Sequence, residues 1–164
     1  MLVITDSSTL IHLAAIDRLD LLRAFFKQVT VPPAVWREVV EQGGGRAGAA
    51  EVVRAHEAGW IELAKPTDVA LLRLLKRDLD EGEAEAIALS LEKEAALLLV
   101  DESDAREIAD LYDLPKTGTI GLLIRAKKEG LIRLLRPELD KLRRQGGFWI
   151  AESLYNRALE AVGE

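Results

Sequence analysis

LDEGEAEAIALSLEKEAALLLVDESDAR, residues 79–106, decides the fold. EGEAEAIALSLEKE (81–94) is too long for a strand and is rich in Ala, Leu and Glu, which form helices well. AALLLV (95–100) is a short unbroken apolar run, the pattern of a strand covered on both faces, and residues 103–112 return to helix. A buried strand set between helices is the unit of a parallel sheet. The same stretch crowds Glu81, Glu83, Glu85, Asp101, Glu102 and Asp104 together. Like charges repel, so these acids are either solvated helix faces or a cluster that a cation neutralises.

Working outward, LVIT (2–5) is a second apolar run, followed by Asp6 or Ser7 as a cap for a helix in which Leu10, Leu13 and Ala14 recur. Residues 18–26 continue as helix, QVTVP (28–32) is a strand, and Pro33 opens a helix through AVWREVVEQ. GGGRAG (43–48) is a loop, 49–58 a helix, WIELA (60–64) a strand and 67–78 a helix. LPKTGT (114–119) reads as an extended turn, 119–129 as helix, and another helix starts near Pro137 and stops at Gly146–Gly147. FWIA and a helix from about Glu152 make residues 146–164 a short appended strand and helix on a single domain spanning 1–164. The alternation implies an α/β fold with helices on both faces of a mainly parallel sheet. Ligands of such sheets sit beyond the carboxyl ends of strands, where Asp6 and Asp101 both fall.

The 164 residues suit one core, and a hydrophobic share of 49% excludes a disordered chain. The absence of cysteine excludes a disulfide framework, a thiolate metal site and a Cys nucleophile. Any metal must be held by oxygen, or by His12 and His56, and oxygen donors favour magnesium, manganese or calcium over zinc. The N-terminal stretch is interrupted by Asp6 and has no basic leader, and no run approaches the roughly 20 apolar residues of a membrane helix, so a cytoplasmic protein is expected. Net charge is −6, but residues 116–144 hold nine Lys and Arg against three acids, a local balance of +6 that leaves −12 on the remainder. That asymmetry is either a solvated helical face or a phosphate track beside an acidic pocket.

Each acid has a bland reading beside the chemical one. Asp6 is a natural cap, although Ser7, Ser8 and Thr9 can cap too. Glu38 falls on the border of the apolar arc marked by Val35, Val39 and Val40. Glu83 and Glu85 flank opposite sides of the face formed by Ala84, Ile87, Ala88 and Leu91, and the helical wheel does not choose between them. Asp101 lies nearest the sheet edge, Asp104 can cap or pair with Arg106, and the two histidines read as structural. Together the carboxylates fit one chemistry: one or two divalent ions that activate water against a phosphodiester.

A strand ending in Asp6 with Ser8 two residues on, Glu38 after VPPAV, an acid before AIAL and an acid after LLLV resemble the PIN-domain ribonucleases. The closer likeness is to a subgroup with a GEAEAIAL box (82–89), an acid-rich segment ending in AR (DESDAR, 101–106) and a stretch like TGTIGLLIRAKKEGLI (117–132). The resemblance covers about residues 2–150. It implies a three-layer α/β/α fold and Mg²⁺- or Mn²⁺-dependent cleavage of single-stranded RNA, with Asp6, Glu38, Glu85 and Asp101 as the metal ligands. Ser8 would support them. The segment after LLLV departs from the family's usual Thr-spacer-Asp, which leaves Glu102 and Asp104 open beside Asp101 as the fourth ligand, as Glu83 is beside Glu85 for the third. Many such proteins are the toxin of a toxin–antitoxin pair, so the resemblance also implies an antitoxin partner and a homodimer. Lys116, Arg125, Lys127 and Lys128 would follow the RNA backbone, and Thr117 and Thr119 stand at a helix start that is either an ordinary cap or a place where free N–H groups receive a phosphate. The rival expectation is a catalytically silent module whose acidic half binds a basic partner. A receiver-like phosphoacceptor domain wants paired acids after the first strand, and Asp6 stands alone there.

Overall fold

The apolar runs are short because the strands are short. A computed structural model describing residues 1–164 places β1 at Val3–Thr5, β2 at Val29–Val31, β3 at Ile61–Leu63, β4 at Leu97–Leu99 and β5 at Lys116–Thr117. All neighbours are parallel, in the order β3-β2-β1-β4-β5. Successive side chains alternate between the two faces, as the pleat requires. Val3, Val29, Val31, Ile61 and Leu99 enter one core, while Ile4, Leu98 and Val100 enter the other. Burial on both faces explains why β1 and β4 carry no polar alternation.

Helices α1 (Ser7–Ala15), α2 (Asp20–Phe26), α3 (Pro33–Trp36) and α4 (Ala49–Glu57) cover the first face. The second is covered by α5 (Val69–Leu75), α6 (Glu81–Glu92) and α7 (Ser103–Leu111). The result is the three-layer α/β/α arrangement. Beyond β5, α8 (Thr119–Lys128), α9 (Leu135–Gln145) and α10 (Glu152–Ala161) pack round Leu123, Leu135, Leu139 and Leu142, joined by Ile16 and Leu21 from the first layer. A two-pronged ion pair clamps this group to the turn after α1: Arg18 donates to both oxygens of the buried Glu138 at 3.1 and 2.7 Å.

The chain moves outward from β1 through β2 to β3, then returns to the other side of β1 for β4 and β5. The strand order therefore reverses between β1 and β4, and a crevice opens at their carboxyl ends. The register pairs Thr5 with Leu99, and the Asp6 N–H donates to the Leu99 carbonyl at 3.0 Å, so Asp6 and Asp101 start side by side.

Three local expectations change. LPKTGT is not only a turn: Lys116–Thr117 forms the edge strand β5, whose neighbour supplies the donors (Leu98 N–H to Pro115 O, Val100 N–H to Thr117 O). Pro115 is tolerated because at an edge its missing N–H faces no partner. FWIA forms no strand; its backbone is tied to α9, with Phe148 N–H on Leu142 O at 3.2 Å and the Arg143 guanidinium on Ile150 O at 3.0 Å. The helix near Pro137 starts earlier, at Leu135, because Pro is harmless among the first-turn N–H groups, and the Glu164 carboxylate accepts from Leu135 and Arg136 there. The helix after Pro33 also widens. Over Arg37–Glu41 it becomes a π turn, closed by Gln42 N–H on Arg37 O at 2.7 Å, and such turns concentrate at functional sites. No helix is long and apolar enough to cross a membrane.

Candidate metal centre

At the head of α1, Asp6 divides its carboxylate between two tasks. Oδ1 accepts from the Thr9 N–H at 3.0 Å and caps the helix. Oδ2 is buried and has no hydrogen-bond partner. The residue is 1% exposed. Burial first, then the charges of Asp101 and Glu83, hold the Asp6 carboxyl well above its ordinary range, although the Thr9 bonds pull the other way. The capping role and a ligating role therefore use different oxygens of one group.

The start of α6 supplies the next acids. Asp80 and Glu83 close a reciprocal capping box, with Glu83 N–H on Asp80 Oδ1 at 2.8 Å and Asp80 N–H on Glu83 Oε1 at 3.2 Å. Burial, then Asp80 and Glu102, push the Glu83 carboxyl up to about 7. Glu102 and Asp6 lie within electrostatic reach of Glu83. Glu85, the third acid by the resemblance, is equally buried but turns to α3. Its Oε1 accepts from Ala34 N–H, an orphan donor of the first helical turn, at 3.1 Å, and its Oε2 lies 3.9 Å from Arg37.

Glu38 comes to the same edge from the π turn. Ser7 donates to its Oε2 at 2.7 Å. Gly82 lets α6 close over this pair, since a Cβ there would lie 3.2 Å from Ser7 Oγ and 3.3 Å from Glu38 Oε2. Ser8, expected to support the site, faces Glu102 at 3.5 Å, the outer limit of a hydrogen bond. The serine that orients an acid is Ser7, which the sequence reading treated only as a cap.

Asp101 accepts more hydrogen bonds than Asp6, Glu38, Glu83 or Glu85. Oδ1 accepts the Thr119 N–H at 2.7 Å, and Oδ2 meets Thr119 Oγ1 at 2.6 Å and His12 Nδ1 at 2.7 Å. The free start of α8 is therefore already occupied by a carboxylate. A Cβ at Gly118 would stand 2.5 Å from Asp101 Oδ1, so only glycine permits the approach. His12, read as structural, is a partner of the site. Its signal was present only in three dimensions, 89 residues from Asp101. Asp104 and Glu102 are exposed at the start of α7.

The basic residues sit elsewhere. Lys116 pairs with Asp110. Arg125 pairs with Glu129 at 2.8 Å and stacks on Phe25 at 4.3 Å. Lys127 donates to the Arg133 carbonyl at 2.7 Å, and Lys128 makes no ion pair. Arg125, Lys127 and Lys128 occupy the last turn of α8, opposite the end that holds Asp101.

No three Asp, Glu or His side chains already form a closed ligand set. The donors nevertheless suit a hard divalent ion. All are oxygens, the Asp6 Oδ2 atom is buried without a partner, and burial followed by neighbouring acids makes Asp6 and Glu83 resist ionisation, a penalty that a bound cation would offset. The family model DUF3368, described as a PIN domain, matches residues 2–164. The comparison with curated proteins returned no match.

Proposed function

The chain belongs to the PIN-domain family, whose members are in general nucleases that use divalent metal ions, and from that premise we propose a metal-dependent endoribonuclease that cleaves single-stranded RNA. The buried, partnerless Oδ2 of Asp6 among negative neighbours carries this reading. Asp6, Glu83 and Asp101 would hold Mg²⁺ or Mn²⁺, with Glu38 and Glu102 at the margin; Glu85 keeps its place as the cap of α3. A divalent ion there would supply Lewis acidity, activating water and offsetting the charge that builds on the phosphodiester oxygens. The protein's own part is positional. Ser7 aims Glu38, while His12 and Thr119 fix the Asp101 carboxylate.

The biological role we propose is that of the toxin in a toxin–antitoxin pair, acting on RNA in the cytoplasm as a homodimer. Leu74, Leu111 and Tyr112, at 58%, 73% and 40% exposure, give an antitoxin or a second copy an apolar surface between α5 and α7. One observation favours a second reading, that of a silent interaction module: Glu38, Glu85 and Asp101 already accept hydrogen bonds from the protein itself.

Cleavage of a single-stranded RNA with Mn²⁺, with EDTA, and by Asp6→Asn decides between them. Asparagine is an equally good N-cap, so the variant keeps its helix. Activity should vanish with EDTA and fall roughly 100-fold or more in the variant, beyond the 10- to 100-fold typical of losing a mere ligand support. Undiminished cleavage by Asp6→Asn defeats the assignment, and absence of Mn²⁺ binding heat favours the silent module.

A further inference from the structure

Asp101 has a second side. A cavity of about 300 Å³ opens against it, bounded by Arg106 of α7, Gly118 and Gly121 at the start of α8, Phe148 of the 148–151 segment and Leu154 of α10. Of the carboxylates described above, only Asp101 lines it.

We propose that this cavity is a nucleobase subsite that receives one unpaired guanine of the RNA, beside the phosphodiester to be cleaved; the proposal rests on the nuclease reading. Its size is at the low end for small-molecule sites, which suits one nucleoside. Its wall pairs an aromatic ring with a guanidinium, the two groups that recognise splayed single-stranded bases. Phe148 is braced edge-to-face against His12, with ring centroids 4.5 Å apart at 82°, so the ring stands ready for stacking. Arg106 spends one N–H on the Val100 carbonyl at 2.8 Å. That bond orients the fork and leaves its other donors for a ligand that offers acceptors. Guanine presents O6 and N7 side by side, the pair that arginine engages with two parallel bonds. The two glycines keep the wall low. A side chain at Gly118 would strike Asp101, and one at Gly121, an exposed position inside α8, would strike Thr117 Oγ1, so both positions stay bare at the cavity wall. His12 then braces both halves of the site, Asp101 with one ring nitrogen and Phe148 with its ring face or edge.

The test is fluorescence anisotropy in EDTA, where no cleavage is expected, with four labelled RNA hexamers that differ at one central base in an otherwise uniform uridine background. Wild type should bind the guanine hexamer most tightly. Phe148→Ala should weaken all four by roughly 5- to 150-fold, the range for loss of one base–aromatic stack. Arg106→Gln should erase the guanine preference. Because Arg106 also holds the β4 exit, Leu154→Trp provides a second variant: it fills the cavity from a residue 37% exposed and should erase the same preference with the fold intact by thermal melting. Equal affinities of wild type for the four hexamers, no binding to any, or a preference that survives both Arg106→Gln and Leu154→Trp would overturn the subsite. Manganese-dependent cleavage without base preference would remove the subsite and keep the nuclease, whereas guanine preference without cleavage would do the reverse.

Discussion

Replacing Glu83 with glutamine tests the carboxylate crowding directly. In the folded protein, burial followed by Asp80 and Glu102 raises this carboxyl from 4.5 to about 7. The unfolded chain releases the same proton near its ordinary value, so between those two pH values the native state binds more protons than the unfolded state, and stability falls as pH rises. Below that window the group is neutral in both states and costs nothing; above it the group is ionised in both and the whole penalty stands. At about 1.36 kcal/mol per pH unit, the interval corresponds to roughly 3 kcal/mol. Glutamine cannot ionise, yet at this position it can still accept from the Asp80 N–H and complete the capping box. In EDTA at pH 8, Glu83→Gln should therefore be more stable than wild type by up to roughly 3 kcal/mol, about 6–12 °C in Tm for a chain of this size. At pH 4.5 the two should melt together. Added Mn²⁺ at pH 8 should narrow the gap by stabilising the wild type more. Circular-dichroism melts at the two pH values provide the measurement. A variant no more stable than wild type at pH 8, or one that gains equally at both pH values, would refute the claim that Glu83 is held at the crevice among unbalanced charges.

Glu85→Gln keeps an oxygen for the Ala34 N–H, so Mn²⁺ affinity by calorimetry should stay within roughly twofold of wild type, against the 10- to 100-fold typical of disturbing a metal site; a loss as large as that of Asp6→Asn would return Glu85 to the ligand set. Ser7→Ala removes the 2.7 Å bond that aims Glu38 and, because Glu38 stands at the margin of the site, should lower Mn²⁺ affinity by less than the roughly 10- to 100-fold typical of disturbing a direct ligand, with a change in stability of about 1.5–3 kcal/mol at most, which titration and melting read separately. Gly118→Ala drives a Cβ to 2.5 Å from Asp101 Oδ1 and should cost about 1–3 kcal/mol in chemical denaturation while displacing the carboxylate; a neutral melt together with full activity counts against the tight approach of α8 to β4.

Patterns that depend on the chain alone were legible. The apolar runs LVIT and AALLLV mark two-faced strands, and the strand–helix alternation alone puts Asp6 and Asp101 at the same sheet edge. β5 was harder to see because a two-residue edge strand has no periodicity to detect, and FWIA looked like a strand because aromatic and β-branched residues favour both strands and extended segments tied to a helix end. The π turn at Arg37–Glu41 leaves no sequence signature, since it differs from an α-helix by one inserted residue.

The sequence by itself determined the doubly covered parallel sheet, the positions where strands end in acids, and, in a chain without cysteine, the absence of any thiolate donor. Tertiary structure decided which acids meet. A helical wheel gives each side chain's direction relative to its own helix and says nothing of what lies opposite. Glu83 and Glu85 are near equals on α6, and only the packing of that helix leaves one in the capping box with Asp80, where it adds to the charge around Asp6, and sets the other against the Ala34 N–H of α3. In the same way Ser7, rather than Ser8, reaches Glu38, and His12 reaches Asp101, because contacts between residues far apart in sequence depend on distances of a few ångströms that no local pattern encodes.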